Sequence, residues 1–170
     1  MSVPLAITLD VPAETAVGQL IPVAIRVKNI SDHQLWTVGV LDGSEAGLRY
    51  PHWQPEIITP QPLPDREPVP LSDMSAPLRA QDFRLLKPGE SFDPTAANGE
   101  AAYLPITAFQ NFRPPVPGRY QFKLTLSTAS ERDEEWLGIV GYPGEEEVLK
   151  RLKEVPRTKV VSNTAVVEVK

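Results

Sequence analysis

The chain has 170 residues, 41% apolar and 23% charged, with a formal net charge of −5; that length suits one domain with a real hydrophobic core. Nineteen prolines give it an excess of loop, and the absence of cysteine excludes disulfides, thiolate metal sites, iron–sulfur clusters and a cysteine nucleophile. The basic residues are scattered rather than grouped with aromatics, so no nucleic-acid partner is expected.

Met1-Ser2-Val3-Pro4-Leu5 has neither a basic nor an apolar leader region, so no signal peptide is expected and a cytoplasmic location is the default. No apolar run approaches the ~20 residues of a membrane helix, so no membrane association is expected. Leu5, Ile7 and Leu9 alternate with other residues as a first strand. Val17-Gly18-Gln19 turns into a second, where Ile21, Val23, Ile25 and Val27 share one face and Arg26 and Lys28 take the other. Asn29-Ile30-Ser31-Asp32 turns out of it. The first three of these residues also spell a glycosylation sequon, but without a leader the turn is the simpler reading. Leu35 to Leu41 reads as a third strand. The two glycines of Leu41–Gly47 lack the lysine and following helix of a phosphate cradle and make a turn instead.

From Arg49 to Gln81 the chain holds eight prolines, which cannot donate to a central ladder. This predicts an ordered surface excursion anchored by Tyr50, Trp53, Ile57, Ile58 and Leu63. Lys87-Pro88-Gly89-Glu90 and Val116-Pro117-Gly118-Arg119 are Pro-Gly turns. Short strands are expected at Ser91–Phe92 and Ala102–Ala108, and a long one over Tyr120–Ser127. An insertion at 131–156 contains a helix at 144–155, with Val148, Leu152 and Val155 on one stripe. Glu146–Lys150 and Glu147–Arg151 form its i,i+4 pairs, and Pro156 is its stop. Ala165, Val167 and Val169 close the chain. About seven strands, each with one buried and one wet face, predict an all-β antiparallel sandwich over 1–170 as a single domain. Val23, Ile25, Trp36, Tyr120, Phe122, Leu124 and Val167 are its expected core.

Tyr120 after Pro117-Gly118 stands where immunoglobulin-like domains carry their tyrosine corner, and Phe122 stands where antibody domains have the second cysteine. Trp36 opens the third strand, and Val23 or Ile25 takes the place of the first cysteine. The chain thus resembles the immunoglobulin-like superfamily, in a disulfide-free form. It is also similar, through its Asn29/Ser31, Leu86–Glu90 and Pro117–Tyr120 turns, to bacterial intracellular proteinase-inhibitor domains. The matching residues are structural, and inhibition is not carried over with them.

His33 and His52 are the only imidazoles, and neither has a second histidine at metal-ligand spacing. There is no Gly-x-Ser-x-Gly, and the acidic run Glu131, Asp133, Glu134, Glu135 reads as a solvated loop. No catalytic centre, metal or organic cofactor is therefore expected. The candidate binding residues are Arg49, Tyr50, His52 and Trp53, because aromatics and arginine dominate interaction hot spots. The alternative is that Tyr50 and Trp53 fold back as a lid on a satellite core. Trp136–Val140 similarly either covers a sheet edge or docks a partner. Three functions fit: a protein-interaction or assembly module, with homo-oligomerisation open; an intracellular protease inhibitor; and a carbohydrate-binding module with Trp53 and Tyr50 as platforms.

Overall fold

Where apolar residues alternate, the chain pairs into strands. Ten strands and three short helices form among the residues the structure describes, 3–62 and 76–170 of this computed structural model. The strands are β1 (Leu5–Asp10), β2 (Glu14–Thr15), β3 (Ala24–Asn29), β4 (Leu35–Val38), β5 (His52–Ile58), β6 (Phe83–Leu86), β7 (Ser91–Phe92), β8 (Gly118–Ser127), β9 (Lys159–Val161) and β10 (Ala165–Val169). The helices are α1 (Thr107–Gln110), α2 (Glu134–Leu137) and α3 (Glu145–Leu152). The protein is mostly strand, and its sheets are antiparallel except where β2 joins β10. One sheet has the order β1-β3-β7, and a second has β2-β10-β8-β5 with β9 also on β8. β4 pairs with β6 alone.

β8 organises the interior. Its alternation buries Tyr120, Phe122, Leu124 and Leu126 on one face, and Phe122 meets the rings of Phe109 and Phe112 edge-on at 5.6 and 6.2 Å. Ile7, Ile25 and Val27 from β1 and β3, and Val167 from β10, belong to the same contiguous core. Five of the seven expected core residues are fully buried. Val23 and Trp36 are only half-buried and pack against the core from its margin. Trp36 falls on the outward phase of β4, where the Arg151 guanidinium covers its ring at 4.8 Å, while Leu35 and Thr37 point inward. Tryptophan's place in the interior is taken by Trp53 and Trp136, both at 0% exposure.

The expected surface excursion over 49–81 is corrected at its N-terminal end. β5 pairs with β8 from His52↔Ser127 to Ile58↔Gln121, and β6 begins at Phe83 just beyond it. Proline is tolerated in β5 for a geometric reason. Leu124 donates its N–H to Ser162 Oγ and accepts from the Ser162 N–H, both at 2.9 Å, so its backbone groups face away from β5. Its partner Pro55 therefore turns its nitrogen to the free edge, where a missing N–H interrupts no ladder. Leu63 and the centre of the expected excursion lie outside the described residues.

Ala102–Ala108 is not a strand. Pro105 interrupts it, and the Glu45 carboxylate accepts the N–H groups of Thr107 (2.9 Å) and Ala108 (2.8 Å), satisfying the first donors of α1. Helix α3 forms inside the expected 144–155 span: Val148, Leu152 and Val155 are buried, and of the two expected i,i+4 pairs the structure shows Glu147–Arg151 at 3.2 Å. The Asn29 turn is built around a side chain at 0% exposure. Its amide donates to the carbonyls of His33 (2.9 Å) and Leu86 (3.0 Å), and its Oδ1 accepts the N–H of Ser31 (2.9 Å) and the Ser31 hydroxyl (2.7 Å). Among the described residues no helix is long and apolar enough to cross a membrane.

Candidate functional site

The four residues singled out as binding candidates lie together, Arg49 and Trp53 buried and Tyr50 and His52 half-buried, rather than on an exposed loop. Arg49 is 2% exposed and acts as a strut. Its guanidinium donates to the carbonyls of Trp136 (2.7 Å) and Ala76 (2.5 Å) and to Asp42 (3.2 Å), while Asp42 accepts the Ala76 N–H at 2.6 Å. Burial lowers the Arg49 pKa, and the Asp42 carboxylate opposes that shift. Tyr50 stacks on His52 at 3.7 Å and lies 5.7 Å from the Trp136 ring. Partial burial pulls the His52 pKa below the ordinary imidazole value, against the pull of Glu135. Trp53 is wholly enclosed. Arg49 and Trp53, expected among exposed binding residues, are therefore corrected to buried positions: in the alternation of β5, Trp53 faces the core with Pro55 and Ile57.

Arg49→Lys tests the strut. An ammonium cannot span two carbonyls and a carboxylate on opposite sides, so at least one charge-assisted bond is lost. Denaturant titration is expected to show a loss of about 2 kcal/mol. An unchanged midpoint would show that the guanidinium bonds contribute nothing.

A different surface feature emerges from the sheet edges. Two edges are protected. At β5, Trp53 donates its outward N–H to the Ser44 carbonyl (3.3 Å), and Pro55 has no N–H to offer. At β1, the Asn163 side chain accepts from the Leu9 N–H (2.7 Å) and donates to the Leu9 carbonyl (3.0 Å). The second edge of β3 differs. Because both backbone groups of Leu9 face Asn163, its opposite residue Ile25 must turn its own N–H and C=O away from β1. β7 covers that side only at Val27 and Lys28. The position that would oppose Ile25 is Pro94, which has no N–H and whose carbonyl already accepts from Val40 at 2.8 Å. The ladder stops there.

Burial alternates without a break from Ile21 to Asn29, so Ile21 and Val23 continue the same phase as Ile25. Beside this bare edge runs a groove of about 320 Å³, lined by Leu20, Ile21, Val23 and Ile25 on one side and by Pro105, Ile106 and Phe109 on the other. Leu20 is 46% exposed at its mouth. Sequence reasoning found the strand but missed the edge, because the signal lies in Pro94, a residue distant in sequence. A second hollow, of about 490 Å³, lies over Asp42, Arg49, Arg79 and Asp82. Its charges are largely paired with one another, Arg79 to Asp82 at 2.9 Å and Arg49 to Asp42.

No protein-family model and no curated protein matches this chain.

Proposed function

We propose that the protein is a non-catalytic interaction module whose sheets pack as an immunoglobulin-like sandwich, and that the groove along β3 is where it receives its partner. The carrying observation is an apolar groove beside a stretch of the β3 edge left uncovered, while the edges of β1 and β5 are covered at Leu9 and at Trp53–Pro55. The sandwich reading is supported by the shared core of the two larger sheets and by the Tyr120 hydroxyl. That hydroxyl donates to the Val116 carbonyl at 2.7 Å, four residues upstream, as in a tyrosine corner. Tyr120→Phe is expected to lower stability by about 1 kcal/mol with no change in secondary structure by circular dichroism; an equal melting temperature would remove that support. The carbohydrate reading lacks a platform, since none of the twelve aromatic residues is exposed.

The test introduces charge at the mouth and wall of the groove: Leu20→Glu with Val23→Lys, one exposed and one half-buried. Both versions serve as bait in an extract of the native host. The expected result is a protein retained by the wild type and lost by the double variant, with the native circular dichroism spectrum kept by both. Identical retention by both would refute the groove.

A further inference from the structure

We infer that the β3 groove takes an extended, uncharged segment of a partner protein, which adds to the β1-β3-β7 sheet as a further strand. The inference rests on the interaction-module reading and specifies its ligand. Ile25 turns its N–H and C=O away from β1, Ile21 and Val23 continue its burial phase ahead of β3, and among the described residues none of these backbone groups has a hydrogen-bond partner. Main-chain groups in that state are met in full by another main chain in extended form, which is how strand addition achieves affinity. The available stretch, Ile21 to Ile25, is about the length of an ordinary strand. Pro22 stands one position out of phase with Ile21 and Val23, so in an extended run its missing N–H falls on the side away from an added strand.

The lining selects the side chains. It is made of Leu20, Ile21, Val23, Ile25, Ile106 and Phe109, with prolines and two uncharged polar residues, Thr95 and Gln110. No charged residue lines it, so a charged side chain seated there would lose its water without gaining a counter-ion. A strand alternating apolar residues into the groove with neutral polar residues away from it matches both the backbone and the lining.

The probe is a blocked hexapeptide of alternating valine and threonine, acetylated and amidated, titrated into the full chain and followed by amide NMR and hydrogen exchange. In the free protein the Ile25 amide is expected to exchange at least tenfold faster than that of Val27. On titration the Val23 and Ile25 amides should shift and gain at least tenfold protection. The same peptide N-methylated at every second residue, made in both phases, keeps the side chains but loses the donors. One phase should bind at least tenfold more weakly. Val23→Pro removes one N–H outside the β1 register, so it should abolish the peptide-induced protection at Ile25 while the Val27 amide keeps its own protection. Equal binding by methylated and unmethylated peptides, absence of binding, or equal protection of Ile25 and Val27 in the free protein overturns strand addition. Protection that rises with protein concentration alone assigns the edge to a second copy and overturns it as well. The bait experiment with Leu20→Glu and Val23→Lys reads the groove independently: if partner capture is lost there while the peptide result fails, the module reading stands and only its strand mechanism falls.

Discussion

Replacing Phe122 by alanine is expected to destabilise the protein by about 3–5 kcal/mol, the range for emptying a buried aromatic site. Phe122 is at 0% exposure, sits opposite Ala165 of β10 and Ile57 of β5, and is clasped by two further rings from the segment 109–112. Its neighbours come from three directions and are anchored in separate strands or turns, so the site cannot collapse to fill the void. For a chain of this length the melting temperature should fall on the order of 10 °C. Calorimetry decides the matter: a shift of a degree or less would mean that β8 presents the other face to the core.

Trp53→Ala is expected to lower stability by a similar amount, about 3–5 kcal/mol. Trp53 lines a small interior hole together with Leu5, Val27, Phe92, Leu126 and Trp136, so its ring bridges β5 to the β1-β3-β7 sheet. Its indole N–H has no hydrogen-bond partner among the described residues. Trp53→Phe removes that unpaired donor along with some volume, and the two effects oppose each other. The phenylalanine variant should therefore lose less than about 1.5 kcal/mol while the alanine variant loses the full amount. Paired denaturation curves check this ordering. If Trp53→Ala melted like the wild type, the residue would belong at the surface after all.

The long alternating runs were legible because their signal is local. Leu5–Leu9, Ile25–Val27, Tyr120–Leu126 and Ala165–Val169 each bury one phase, and all four are strands. The stripe of α3 was equally local. What could not be read was decided by distant partners. His52–Ile58 is a strand because Leu124, more than sixty residues away in sequence, turns its hydrogen bonds to Ser162 and asks none of its partner Pro55. Residues 107–110 are helical because Glu45 supplies acceptors to their first donors. Trp36 was assigned inward from its place in the third strand, yet Arg151 on α3 offers it a cation to stack beneath. Of the candidate binding set, the grouping of Arg49, Tyr50, His52 and Trp53 was legible but its depth was not. Aromatic-rich segments look alike whether they cover a core or meet a partner. The distinction here comes from the carbonyls of Ala76 and Trp136, which Arg49 reaches only in the folded chain.

The buried Asn29 amide bears on how the protein can be produced. In a secretory host the triplet Asn29-Ile30-Ser31 is an acceptor for sugar. A glycan added to the emerging chain would occupy the nitrogen that must donate to the His33 and Leu86 carbonyls, at a position with no room for it. Glycosylation and correct folding are thus mutually exclusive at this site, and secretion would yield two populations, one unmodified and folded, the other modified and trapped. The usual remedy, Asn29→Gln, would not help, because one more methylene displaces the same amide from both carbonyls. Ser31→Ala is the better edit. It erases the acceptor triplet, sacrifices only the hydroxyl contacts, and leaves the Ser31 backbone N–H on Asn29 Oδ1 in place.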